Sequence, residues 1–135
     1  NAAMPERTVA RAADLLGSLE GLRAVVLGAA YRGGVKETAF SGVFATVAAL
    51  EARGASVTVH DPLYSDDELA ALGLTAHHLG DGADLVVVQT DHADYRTLAP
   101  ADVPGVRLLV DGRRITDAAL WTGTPRVVVG QGTAS

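Results

Sequence analysis

Between Val25 and Gly42 the chain reads VVLGAAYRGGVKETAFSG, an apolar stretch running into glycines, two cations and a tyrosine. Arg32 and Lys36 can neutralise a phosphate. Gly28, Gly33 and Gly34 permit positive φ and close backbone approach, as loops that cradle phosphate require. A helix starting after the loop would turn its N-terminal amides toward the same anion. Tyr31 adds an apolar face with a polar tip. Strand-to-helix loops usually need about 2–6 residues. A longer one that carries the only lysine of the chain reads either as an anion site or as a solvated turn.

A second basic pair, Arg113-Arg114, follows an Asp-Gly turn in LLVDGRR. Arg113 is the candidate partner for the same anion, with a planar fork suited to phosphate; Arg114 is the candidate surface residue. The bland alternative pairs such an arginine with Asp111 or Asp117. The first loop is not a dinucleotide fingerprint: Ala30 stands at the second glycine of G-x-G-x-x-G, and Asp61 lies too far on to be the ribose-binding acid. His77 and His78 are adjacent and point apart, which makes a poor metal pair. His92 lies between Asp91 and Asp94, but a helix cap with the imidazole packed at its first turn explains it better than a metal. No catalytic constellation and no metal site is specified.

The elements that must position these residues alternate in period. Val9, Ala12, Ala13, Leu16 and Leu19 recur at helical spacing behind Pro5, followed by a strand at 23–27. Phe40, Val43, Phe44, Val47 and Leu50 form a second helical stripe, ended by Gly54. A strand at 56–60 leads to Asp61-Pro62, and Ser65 with Glu68 forms a capping box for a short helix ending near Gly73. The strand at 85–89 is the most apolar and is expected at the centre; Thr90 or Asp91 then caps a short helix to Leu98. A fourth strand at 106–110, a short helix at 116–121 and a fifth strand at 126–129 complete the chain. This order predicts an α/β, Rossmann-like, doubly wound and mainly parallel sheet of about five strands, with helices on both faces and a helix in front. Ligands of such sheets bind at the carboxyl ends of the strands. All the basic residues singled out fall in loops at that edge.

Composition narrows the partners. The chain has 135 residues, a formal charge of −5 and no cysteine. That excludes disulfides, thiolate metal sites and a cysteine nucleophile within it. The acidic balance argues against nucleic acid, and no apolar run is long enough for a membrane span. No signal peptide is visible, so a cytoplasmic setting is expected. Asn1 and Ala2 carry no weight in this reading.

Five segments, MPERTV, GAAYRGGVKETAFSG, VTVHDP, ADLVVVQTDHADY and LLVDGRR, fall in the order found in one family. From Met4 to about Val129 the chain resembles the C-terminal domain of nucleotide-sugar dehydrogenases, which include UDP-glucose, UDP-N-acetylhexosamine and GDP-mannose dehydrogenases. The resemblance implies that residues 1–20 are the end of a central helical linker and 21–135 the domain that binds the nucleotide of the sugar substrate. It implies an NAD-dependent, two-step oxidation of the sugar C6 hydroxyl to a carboxylate, in a homodimer. The NAD-binding domain and the reactive cysteine lie outside this chain, which alone should bind UDP without catalysing.

By the same resemblance, Tyr31 and Arg32 meet the diphosphate and Arg113 lies in the same nucleotide pocket; Gly33 and Gly34 join the expected nucleotide-binding residues as the glycines of that loop. Ala39 stands where many members carry an arginine for the NAD pyrophosphate, and Lys36, one helical turn earlier, is the expected substitute. Ser41 keeps the motif's serine. A different reading, a self-standing Rossmann-like regulatory or scaffold module, stays open at this point.

Overall fold

Ala24, Val25, Val26 and Leu27 are all buried, as a strand covered on both faces must be. The computed structural model describes residues 3–39 and 41–129. Phe40, expected on the second helical stripe, lies outside the described residues, as do Asn1 and Ala2. In chain order the elements are α1 (Ala3–Leu16), β1 (Arg23–Leu27), α2 (Val43–Ala52), β2 (Ser56–His60), α3 (Asp66–Ala71), β3 (Leu85–Val88), β4 (Leu108–Asp111) and β5 (Arg126–Val128). Two 3₁₀ turns, Ala93–Thr97 and Ala118–Trp121, stand where short helices were expected, and a third, Pro100–Asp102, follows the first.

The strands form one sheet in the order β2-β1-β3-β4-β5, every pair parallel. The most apolar strand, β3, is central. Ala24, Leu85 and Leu108 align across the sheet, as do Val26, Val87 and Val110. These rows face one apolar cluster shared with Val9 and Ala12 of α1 and Val43 and Leu50 of α2. The intervening row of Val25, Val86 and Leu109 faces a second cluster with Tyr95, Leu98, Val103 and Trp121. The α-helices described contribute to the first cluster alone; short 3₁₀ turns and loops cover the second face. Trp121 Nε1–H donates to the Leu98 carbonyl at 2.9 Å, which pins two of those turns together.

Two local expectations need correction. In α2 the inward stripe is Val43, Thr46 and Leu50, whereas Phe44 is 42% exposed. After β3, neither Thr90 nor Asp91 caps the following turn: His92 holds the cap position without a side-chain bond. The hydroxyl of Thr90 donates to the Ala30 carbonyl (2.7 Å), and Asp91 accepts from Gly33 (2.6 Å). Both tie the β3 end to the β1 loop instead.

Candidate functional site

His60, Leu27, Val88 and Asp111 share one register row across β2, β1, β3 and β4. That row is the carboxyl edge of the sheet, and the loops starting at Asp61, Gly28, Gln89 and Gly112 leave from it side by side. The direction of winding reverses between β1 and β3, which is where parallel sheets of this order open a crevice. The β1 loop and the β3 loop flank that point. Gly28, at φ +110, lets them approach closely, since a Cβ there would run into the Thr90 side chain and backbone.

Asp61 organises the first half of the β1 loop. Its side chain is fully buried, and Oδ2 accepts from the N–H groups of Ala29 (2.8 Å) and Ala30 (3.0 Å) and from His92 Nε2 (2.8 Å). Oδ1 takes the Leu63 N–H at 2.8 Å. His92 Nδ1 accepts from the Gly34 amide at 3.1 Å, so the imidazole proton sits on Nε2, facing Asp61. His92 is thus a strut between β2 and the β1 loop, in keeping with its packed reading. Tyr95 stacks edge-on against it, and the Tyr95 hydroxyl lies 2.9 Å from His60 Nδ1 and 3.1 Å from the His60 carbonyl. Burial raises the Tyr95 phenol above its ordinary value and lowers His60 below its own.

Asp91 organises the second half. Its Oδ1 accepts the Gly33 N–H at 2.6 Å, and its Oδ2 lies 3.2 Å from the Arg113 guanidinium. Arg113 also donates to the Gln89 carbonyl (3.4 Å), while its own N–H is held by Asp111 Oδ1 (2.9 Å). Asp111, buried, anchors the whole turn through Thr116, whose hydroxyl in turn accepts from Arg126 Nε at 3.0 Å. The arginine expected to pair with Asp111 or Asp117 in the bland reading pairs instead across the crevice with Asp91. Arg114 is exposed and holds the turn's left-handed position at φ 56.

Each expected site residue has a definite place. Tyr31 and Arg32 are exposed at the tip of a small hairpin, closed by Tyr31 N–H to the Glu37 carbonyl (2.6 Å) and Val35 N–H to the Arg32 carbonyl (3.3 Å). Among the described residues the Arg32 guanidinium makes no ion pair. Gly33 and Gly34 were expected to let the backbone approach a phosphate closely. Their amides go to Asp91 and His92, so the two glycines shape the loop rather than cradle an anion. Gly34 supplies the positive φ of the hairpin turn, +75.

Lys36 turns away from the crevice. It pairs with Glu68 of the α3 capping box, and its ammonium stands 5.4 Å from the centre of the Tyr64 ring. That contact draws the Glu68 carboxyl below its ordinary value. Ala39 is exposed, and its N–H donates to Glu37 Oε1 at 3.0 Å. Ser41 Oγ accepts from the Val43 N–H at 3.2 Å, satisfying one amide at the start of α2.

The amide site that a dinucleotide fingerprint offers at the start of its first loop is not available in this chain. The amides that would receive a pyrophosphate there are filled by Asp61, and a buried carboxylate repels a second anion. Among the described residues no group of His, Asp and Glu is arranged to hold a metal, and no helix is long and apolar enough to cross a membrane. His77 and His78 diverge as expected: His77 bonds Thr58 inside (3.0 Å), and His78 meets Asp66 on the surface (2.8 Å).

From the sequence, Asp61 reads as a strand-ending residue and Asp91 as a helix cap, neither as an organiser of the site loops. The available signal was position alone, a carboxylate directly after β2 and another three residues after β3, both at the carboxyl edge of the sheet.

Solved structures with this arrangement are much longer proteins. The UDP-D-ManNAc dehydrogenase of Pyrococcus horikoshii matches with a TM-score of 0.72 and 22% identity over 95% of this chain and 30% of its own. The UDP-N-acetyl-mannosamine dehydrogenase of S. aureus matches with 0.76 and 19% over 95% of this chain and 31% of its own. The UDP-glucose dehydrogenase of Pyrobaculum islandicum matches with 0.68 and 27% over 88% of this chain and 30% of its own. The chain therefore spans under a third of the length of each. A comparison with curated protein sequences gave no significant match.

The family model described as "UDP-glucose/GDP-mannose dehydrogenase family, UDP binding domain" matches residues 25–118. That range takes in the β1 loop, the Asp61 and Asp91 junctions and Arg113. The match covers most of the chain and every loop of the crevice, and the chain belongs to the UDP-glucose/GDP-mannose dehydrogenase family as its UDP binding domain.

Proposed function

We propose that this domain holds the nucleotide diphosphate of a UDP-sugar for an NAD-dependent nucleotide-sugar dehydrogenase that oxidises the sugar C6 hydroxyl to a carboxylate. In this reading residues 21–135 are the nucleotide domain, and residues 1–20 are the end of a linker helix from the remainder of a cytoplasmic homodimer. The observation that carries it is the meeting of the Arg32 loop and Arg113 across one carboxylate at the reversal point of the sheet. Two guanidinium groups on opposite walls of a crevice suit a diphosphate, because each offers a planar set of N–H donors. Tyr31, beside Arg32, offers its ring to the nucleotide. NAD supplies the hydride acceptor, and its binding falls to other parts of the enzyme. Lys36 is a poor candidate for reaching it, being paired with Glu68.

The test is titration calorimetry of the chain with UDP at low salt. Arg32→Ala and Arg113→Ala should each weaken binding by about 1.5–3 kcal/mol, the worth of a charge-assisted bond. NADH should give no heat, since Asp61 fills the amides it would need. If both variants bind UDP like the parent, this assignment of the site is wrong.

A further inference from the structure

We propose that Asp91 is a positioning residue for the diphosphate, an inference that rests on the reading of the crevice as a UDP site. Its two carboxylate oxygens reach the two walls separately: Oδ1 holds the Gly33 amide, next to Arg32, and Oδ2 holds the Arg113 guanidinium. Arg32 is therefore fixed on both sides along the backbone, by the Tyr31 to Glu37 bond before it and the Gly33 to Asp91 bond after it. Its side chain stays exposed. Arg113 is fixed by Asp91 on Nη2 and by the Gln89 carbonyl on Nη1. A guanidinium has five N–H donors, so these two contacts leave others to face a ligand.

A carboxylate near an anion site is at first sight unfavourable, and two observations decide the sign. Asp91 is already neutralised by Arg113, with the two side chains 38% and 25% exposed. Moving it aside for a ligand would also strip the Gly33 amide of its acceptor, and an unmet half-buried N–H is costly. Asp91 thus stays in place and sets the spacing of the two arginines. Holding the Arg113 side chain and the backbone that carries Arg32 before the ligand arrives removes part of the ordering cost from binding.

The test compares UDP and uridine binding to the parent chain, Asp91→Ala, Asp91→Asn, Arg113→Ala and the Asp91→Ala/Arg113→Ala double variant. Amide NMR reports fold and affinity together. Asp91→Ala should weaken UDP roughly tenfold or more, the scale of one lost charge-assisted contact. Asp91→Asn, which keeps an acceptor for Gly33 but no charge for Arg113, should fall in between.

The double variant should lose less than the product of the two single losses, because part of the Asp91 effect runs through that arginine and only the part through Gly33 is independent of it. Uridine, lacking phosphate, should bind all five proteins alike. UDP binding that is unchanged or tighter in both Asp91 variants overturns the inference while leaving the UDP site standing, as do losses that simply multiply in the double variant. No response of the parent chain to UDP overturns the site and the inference together.

Discussion

At the scale of single residues, the candidate site is built from carboxylates that accept backbone amides. Asp61 takes three N–H groups from other residues' backbones and one from an imidazole. Asp61→Ala would orphan them in a buried setting, at about 1–3 kcal/mol for each that water cannot reach. We expect a loss on the order of 3–5 kcal/mol in urea unfolding, with Asp61→Asn, which retains one acceptor oxygen, losing less. An unfolding midpoint unmoved by Asp61→Ala would refute this account of the β1 loop. Arg32 and Arg113 could be named as candidates from the sequence because they belong to recognisable loops. The acids that hold those loops could not. Asp61 and Asp91 contact residues far away in sequence, and an Asp-Pro or a Thr-Asp before a turn carries the local meaning of a strand end or a helix cap.

At the scale of elements, the strands were the most legible part, since burial on both faces demands the unbroken apolar runs that mark β1, β3 and β4. The capping box was equally plain: Ser65 Oγ accepts from the Glu68 N–H at 3.1 Å, and Glu68 Oε1 from the Ser65 N–H at 2.8 Å. Ser65→Ala should therefore cost about 1 kcal/mol in thermal or urea unfolding, as cap removal usually does. An unchanged stability would mean that the cap is redundant with packing of Leu69. The elements misjudged were those where period and packing part company. Phe44 fits the helical stripe of α2 by spacing, yet the inward position is occupied by Thr46, whose hydroxyl donates to Gln89 Oε1 at 2.6 Å. A polar residue earns that place through a partner on β3's loop, which no periodicity of α2 could disclose. The short runs after β3 and β4 close as 3₁₀ turns, and runs of four or five residues are too short for periodicity to distinguish them from α-helix.

For the whole molecule, two histidines, His77 buried and His60 half-buried, set how stability responds to acid. Burial, the largest cause for both, holds His60 and His77 below their ordinary value, and the attraction of Asp61 and Asp94 for His60 and of Asp81 for His77 only partly offsets it. As pH falls through about 6.5, the histidines of the unfolded chain take up protons that these two refuse in the folded state. The unfolded state is then favoured, and stability declines from neutral pH down to the folded-state values, where the slope ends. Asp84 works in a lower window. The Arg23 amide at 2.8 Å holds it below its ordinary value, so its contribution is complete at neutral pH and is lost only below about pH 4. The melting temperature should accordingly fall between pH 7.5 and 5.5, ahead of any carboxylate effect. In a His60→Gln/His77→Gln variant that slope should largely vanish while the drop below pH 4 remains. A parent protein whose melting temperature is level from pH 7.5 to 5.5 would show that neither histidine is held neutral by the fold. The packing of Tyr95 between His60 and His92 beneath the β1 loop would then need another explanation.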